Sequence, residues 1–452
     1  MRKTMIAGLL AATALMPLHA AAQDTDVQAL RAQLQAMQAE MQRLSAKVAE
    51  LEAEQAQQAD ATTALASTQV ETSAAVAEMT ESQTSTAWKG APEIEGEGGW
   101  SFKPRGRIQA DAGFVSAPDG VTDGFGSEIR RARLGVQGDI PGGFGYKFEV
   151  DVAGNEVEVA DAFLSYGIGG TAIQIGQHNN FQSMEELTSS LNTSFIERAA
   201  FTDAFGFERR LGLSAQYGAG DVLVQAGAFS DNIGDLPGKS YSLDGRVVYM
   251  PSFGATQLHL GGSVHYTGVE NGGTTRYRQR PLVHFTSQRF VNTGTQLTDS
   301  ELGYGLEAAA ISGPFHFAGE AFWQEARYPG AVEDGQFFGG YAEVGYFLTR
   351  GDTRGYKNGV FDRIKPANPL GDGGFGALQV NLRYDRLDLN DGAIVGGTQD
   401  GYFASLIWTP TAYTRFLVNY GTLDYTDADI LLPDGSADYG VDVMGVRAQV
   451  DF

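Results

Sequence analysis

The chain has 452 residues, a formal net charge of −23, 59 glycines, 11% aromatic residues and no cysteine. That acidic balance speaks against a nucleic-acid partner, which is met through Lys and Arg, and a chain without cysteine holds its fold without disulfides. Mean hydropathy is only −0.20, and no apolar run after Leu18 reaches the length of a spanning helix. The chain is therefore either water-soluble or crosses a membrane by alternating strands, whose two faces average to mild polarity.

Met1-Arg2-Lys3-Thr4 precedes an apolar run from Met5 to Leu18 and the small residues Ala20-Ala21-Ala22. A basic start, a short apolar stretch and small residues before a cut site predict a secretory signal peptide over 1–22. Losing Arg2 and Lys3 with it takes the net charge from −23 to −25.

Val27, Leu30, Leu34, Met37, Met41, Leu44, Val48 and Leu51 recur at alternating spacings of three and four. Set among Ala, Gln and Glu, this heptad seam predicts an α-helical coiled coil over 23–58. Two Met in a seam about four heptads long make it a weak associator on its own. Residues 59–99, rich in Ala, Thr, Ser, Gln and Glu and ending in Gly96-Glu97-Gly98-Gly99, read as a flexible linker.

After Trp100 the period becomes two. Phe144, Tyr146, Phe148, Val150 and Val152 alternate with Gly145, Lys147, Glu149 and Asp151; Leu378, Val380, Leu382 and Tyr384 alternate with Gln379, Asn381, Arg383 and Asp385. A soluble sandwich also alternates. Strands of nine to twelve residues, aromatic residues near strand ends (Tyr402, Trp408, Tyr413, Tyr420) and turns alternating between short and long favour a transmembrane barrel. Strands are predicted at 105–114, 129–138, 143–153, 159–167, 171–177, 209–217, 221–229, 241–250, 256–267, 302–311, 314–326, 336–349, 375–388, 400–409, 413–424 and 439–452. The fold class is thus all-β, a sixteen-stranded antiparallel transmembrane β-barrel over 100–452, preceded by the helical coiled coil. An even count puts the coiled coil and the C-terminus on the same, periplasmic side, so 276–288 reads as an extended loop segment and not a seventeenth strand. Connections 178–208 and 350–374 are also too long for plain turns. Sixteen strands leave an aqueous lumen, and polar inward faces fit water.

A pore selects by its lining. Arg105, Arg107, Gln109 and Asp111 share one face of the first strand, and Arg131, Arg133 and Gln137 one face of the second; strict alternation turns Arg130 the other way unless a loop or bulge begins there. Arg276, Arg278 and Arg280 recur at period two, with His284 on the same parity. Such a row offers fork-shaped donors to oxyanions; it can equally bridge to acidic loops or to lipopolysaccharide phosphates at the outer rim. No catalytic or metal-binding constellation is visible: the five histidines after the signal peptide lack ligand spacing, Gly371-Asp-Gly-Gly-Phe-Gly376 precedes a strand and not a helix, and the Asp388, Asn390, Asp391 cluster lacks the remaining ligands of a calcium loop. The expectation is a non-enzyme without cofactor or metal.

Several stretches together resemble the phosphate-selective porin O and P family: Arg130-Arg-Ala-Arg-Leu-Gly135, Ile175-Gly-Gln, Met184-Glu-Glu-Leu-Thr-Ser-Ser190, Phe195-Ile-Glu-Arg198, Arg289-Phe-Val-Asn-Thr-Gly294, Gly345-Tyr-Phe-Leu-Thr349, Arg383-Tyr-Asp-Arg-Leu-Asp-Leu389 and Tyr413-Thr-Arg-Phe-Leu-Val-Asn-Tyr420. The resemblance implies a homotrimer in the outer membrane of a Gram-negative bacterium, with one pore per subunit. It implies two outer loops and one periplasmic turn folded into each lumen, and a ladder of arginines that leads anions to a constriction with lysine. Arg107, Arg130, Arg131, Arg133, Arg276, Arg278 and Arg280 are the expected anion-path residues. The chain departs from the pattern between Gly176 and Ala219, where no lysine occurs, and at His284, where a further arginine is expected. A diffusion porin for phosphate or small acidic solutes is the first expectation. The alternatives are a general or weakly cation-preferring porin and a barrel whose coiled coil tethers the outer membrane to the periplasmic wall. Expected partners are a second and third copy, outer-membrane lipid and lipopolysaccharide, the barrel-assembly machinery that reads the terminal Phe452, and small anions.

Overall fold

The computed structural model describes residues 25–81, 85–122, 124–154, 156–330 and 333–452; the signal-peptide stretch 1–22 lies outside them. Two units are present, Met1–Ser82 and Gln83–Phe452.

In the first unit Thr25–Glu81 forms one helix of 57 residues, about 85 Å long at 1.5 Å per residue. Its seam residues Leu34, Met37, Met41, Leu44, Val48 and Leu51 are all exposed. The helix continues through the first part of the stretch read as a flexible linker over 59–99. The sequence from Thr25 to Glu81 contains neither Gly nor Pro, and the Thr62, Thr63, Thr68, Thr72 and Ser73 hydroxyls each bond a carbonyl one turn back, so these residues need no non-helical partner. Beyond it Ser85–Trp88 pairs with Pro92–Gly96, whose end pairs in turn with Trp100–Phe102.

The barrel consists of β1 (Trp100–Ser116), β2 (Gly124–Ile140), β3 (Phe144–Asp151), β4 (Glu158–Ile168), β5 (Thr171–Asn179), β6 (Arg209–Ala219), β7 (Val222–Phe229), β8 (Tyr241–Tyr249), β9 (Thr256–Gly268), β10 (Ser300–Ser312), β11 (Phe315–Arg327), β12 (Gly335–Phe347), β13 (Ala377–Asp391), β14 (Ile394–Thr411), β15 (Thr414–Thr426) and β16 (Tyr439–Asp451). Every strand pairs antiparallel with its sequence neighbour, and β16 closes on β1 from Asp442↔Ser116 to Asp451↔Arg107. Closure leaves no unpaired edge, which hydrocarbon would penalise by several kcal/mol per orphaned group. All sixteen predicted strands are present. The stretch from 389 to 399, read as a long connection, instead continues the ladder to a tight turn at Gly392, whose φ of 55° suits glycine.

The expected alternation holds. On β13 Gln379, Asn381, Arg383 and Asp385 are buried, whereas Leu382 is 61% exposed. Phe452 lies beyond the last strand residue yet stays in the ladder: its N–H donates to Gly106 O and its carbonyl accepts from Gly106 N, both at 3.0 Å. Its ring covers Gly106, where a Cβ would collide with it.

Three long connections enter the lumen: 180–208 and 269–299 from the long-loop end, and 348–376 from the short-turn end. They meet inside. Phe361 N–H donates to Thr188 Oγ1 at 3.3 Å, and Phe205 meets Tyr277 edge-on at 5.5 Å. The interior is therefore only partly aqueous, against the expectation. Phe201 stacks on Phe322 at 5.8 Å, with Phe207, Phe337, Phe290 and Phe403 buried around the same loops. The loops supply apolar partners that period-two alternation cannot reveal.

Candidate anion path

A cavity of about 600 Å³ remains open along β1–β6. On the β1–β2 wall the register pairs Lys103↔Gln137, Arg105↔Gly135, Arg107↔Arg133 and Gln109↔Arg131. Cationic side chains thus occupy successive inward levels spanning six residues, about 20 Å at 3.3 Å per residue. The next pair is Ala110↔Ile129, so Arg130 is one extra residue with no partner on β1. This β-bulge resets the alternation and lets Arg130 and Arg131 both line the cavity. Lys103, Arg105 and Arg107 also line a smaller cavity of about 170 Å³ toward the short-turn end, with Arg363 and Lys89.

Most of these cations are matched. Arg107 meets Glu149 at 3.3 Å, and Arg133 meets Glu149 at 3.2 Å and Asp151 at 2.8 Å. Lys147 and Arg209 share Asp161, at 2.5 and 2.9 Å. Arg130 forks onto Glu197 of the inserted loop, with Nε at 2.9 Å and Nη2 at 3.2 Å. Arg131 differs: its Nη1 donates to Gln109 Oε1 at 3.1 Å, and among the described residues it has no carboxylate within salt-bridge distance. Arg105 likewise bonds the Gln137 amide oxygen.

The row at 276–280 keeps its parity. Arg276 and Arg278 are exposed on one side, and Tyr277 and Gln279 are buried on the other. Only Arg280 of the three reaches the cavity, 3.8 Å from Asp203. Arg276 donates to Asn292 Oδ1 at 2.8 Å. The extended run ends at Pro281-Leu282, where Leu282 takes φ 59°; His284 therefore leaves the row, and its Nδ1 sits 2.9 Å from Glu128. Of the seven expected path residues the fold gathers Arg107, Arg130, Arg131, Arg133 and Arg280, and leaves Arg276 and Arg278 apart from the cavity. It adds Arg105, Lys147, Arg198 and Arg209. The signal for Arg105 and Lys147 was their inward parity; Arg198 and Arg209 lie in or beside a loop, where parity says nothing.

Other inward polar side chains bind the loop 180–208. Glu320 accepts from Met184 N at 3.0 Å and Glu185 N at 2.7 Å; Asn419 Oδ1 accepts from Ile196 N, and Asp385 from Ala200 N. Arg415 donates to Leu191 O and, at 3.0 Å, to Thr193 O. Arg383 bridges Glu343 at 2.7 Å and the loop residue Glu185 at 2.8 Å, with its guanidinium over the rings of Phe195 and Tyr341. A buried loop must have its backbone groups satisfied, and the wall between β11 and β16 does so.

The two loop carboxylates facing the cavity titrate in opposite directions. Burial raises Glu197, but Arg130, Arg131 and Arg447 together more than offset it and hold the carboxyl well below the usual range. Burial also raises Glu186, and there Arg198, Arg209 and Arg131 do not offset it, so this carboxyl lies above its ordinary value.

The family described as phosphate-selective porin O and P matches residues 102–452. A protein of Caulobacter vibrioides without an assigned function is 49% identical over 354 residues, covering 75% of this chain and 71% of that one. Among solved structures, the fold is similar to an anion-selective porin from Comamonas acidovorans (TM-score 0.52, 13% identity, 78% of this chain and 100% of that one). It is also similar to the outer membrane channel DcaP of Acinetobacter baumannii (TM-score 0.50, 15% identity, 79% and 99%). The closed sixteen-stranded barrel, its inward loops and the match across the whole barrel lead to one assignment: the chain belongs to the phosphate-selective porin O and P family and is an outer-membrane porin channel.

Proposed function

We propose that the channel favours anions, conducting phosphate or small acidic solutes along the β1–β2 wall. The observation that carries this reading is the cavity lining. Nine Lys and Arg side chains face seven Asp and Glu there, although the whole chain carries −23. Local lining, and not net charge, sets what a pore attracts. Arg131 and Arg105, which have amide partners and, among the described residues, no carboxylate at salt-bridge distance, leave the excess positive charge on the path. The similarity in fold to an anion-selective porin supports the same direction. The preference is modest, because ion pairs neutralise Arg107, Arg130 and Arg133 and no lysine occurs in the inserted loop 180–208. Single-channel recording tests it. The reversal potential in a KCl gradient should sit on the anion side, and phosphate should block chloride current; a potential on the cation side would overturn it.

The working form is a homotrimer in a membrane whose outer leaflet is lipopolysaccharide, delivered by the barrel-assembly machinery. The exposed seam of Leu34, Met37, Met41, Leu44, Val48 and Leu51 supports self-association of the helix as a periplasmic coiled coil. Analytical ultracentrifugation of the full chain and of a chain lacking 25–58 tests this: the deletion should weaken the trimer without abolishing it.

A further inference from the structure

Glu197 lies in Phe195-Ile-Glu-Arg198, on the loop 180–208 that the wall clamps through Ile196 N and Asn419. Its carboxylate takes both arms of the Arg130 guanidinium and a third contact from Arg447 Nη2 at 3.1 Å. Arg447 is already matched by Asp111, a wall residue, at 2.7 and 2.6 Å. Arg130 has no carboxylate partner among the described residues other than Glu197. Arg131, the neighbour in the bulge, has none among the described residues. A fork closed on two carboxylate oxygens is the arrangement a guanidinium offers to a free oxyanion. Here the oxyanion belongs to the chain itself and faces the open cavity.

We infer that Glu197 is a tethered occupant of an anion seat in the channel, formed by Arg130 and Arg447 with Arg131 beside them, and that solute anions pass this level by exchanging with it. The inference rests on the anion-path reading and deepens it. A tethered group competes at high effective concentration, so Glu197 keeps the seat weak, and a conducting site must bind loosely enough to release. The wall arginines draw the anion in; Glu197 sets how long it stays.

Planar bilayer recording of the full chain tests this, with inorganic phosphate as the probe blocking chloride current. In Glu197→Gln the seat loses its competitor but keeps an acceptor for Arg130. The half-blocking phosphate concentration should fall by about tenfold, the scale of one charge-assisted contact, and dwell times of block should lengthen. Glu158→Gln removes the same charge from a cavity residue that has no arginine at salt-bridge distance among the described residues; it changes the lining charge without freeing a guanidinium and should lower half-block by less than about twofold. Glu197→Asp, which keeps the charge on a shorter stem, should stay near the native value. Equal shifts in E197Q and E158Q, no shift in E197Q, or an E197D channel that behaves like E197Q would each overturn the inference. Arg131→Ala separates the two levels. If it lowers anion preference while E197Q does nothing, only the tethered-occupant idea fails; if it too changes nothing, the anion path fails and the occupant with it.

Discussion

Arg131 and Arg415 are both inward-facing, buried strand arginines, yet they act differently. Arg131, on β2, reaches the open cavity with one bond to an amide, whereas Arg415, on β15, gives its guanidinium to the carbonyls of Leu191 and Thr193. The same contrast runs around the barrel. Along the arc β1–β6 a cavity stays open between the wall and the inserted loop, whereas the arc β11–β16 takes up the backbone of that loop. One set of polar residues sets the field of the pore; the other sets its bore, by holding 180–208 in place. Residue type and parity are alike on both arcs, and what distinguishes them is how closely the loop packs, since it leaves a cavity on one side and fills the other.

The largest effect should come from breaking the clamp. Arg383→Met leaves Glu343 and Glu185 buried without their shared cation, a loss of about 3–5 kcal/mol for one partner of a buried pair. Thermal unfolding in detergent should shift down clearly, and conductance should rise and become noisier as the loop loosens; unchanged conductance would deny the clamp its role. Next, Arg131→Ala should leave unfolding near native and lower the anion-to-cation permeability ratio by roughly fivefold, since a unit charge at contact distance in water is worth about 1 kcal/mol. Arg280→Ala should lower it less, because Asp203 lies 3.8 Å from that guanidinium. Smallest of all, the paired change Arg276→Ala and Arg278→Ala should leave selectivity as it was, and its reversal potential checks this directly.

Acidification separates the two loop carboxylates. Glu186 has a raised folded pKa, so its charged form burdens the folded channel: its contribution is best at low pH and worsens as pH rises through the folded value. Glu197 has a depressed one, so its contribution is present above the ordinary carboxyl pKa and is lost only as pH falls through its lower folded value. Between pH 7 and the ordinary carboxyl range Glu186 gains its proton first while Glu197 stays ionised. Anion preference should therefore rise on mild acidification, and Glu186→Gln should flatten that rise when reversal potential is followed against pH.

Most of the barrel was legible because lipid enforces a rule that the sequence must obey: Leu382 outward and Arg383 inward is dictated by period two. The even strand count followed from turn lengths, and 276–288 lies in a loop as parity required, although its extended run stops at Pro281. Arg130 shows where the rule stops. Its direction depends on a bulge opposite Gln109 and Ala110, and a one-residue insertion leaves no mark in residue type. Arg447 and Arg415 show a second limit, because inward parity cannot say whether a guanidinium meets water, a carboxylate or a loop carbonyl. Thr62 to Ser73 show a third: a polar Ala- and Thr-rich stretch resembles a linker unless its hydroxyls can be seen bonding back to the helix.

The wall, and not the loop row, is held to carry the preference for anions. Reversal potential across a bilayer in a roughly tenfold KCl gradient, recorded side by side for R131A and for the R276A/R278A pair, tests that most directly. The wall predicts a shift toward the cation side for R131A and native behaviour for the pair. A native potential in R131A with a shifted one in the pair would contradict it.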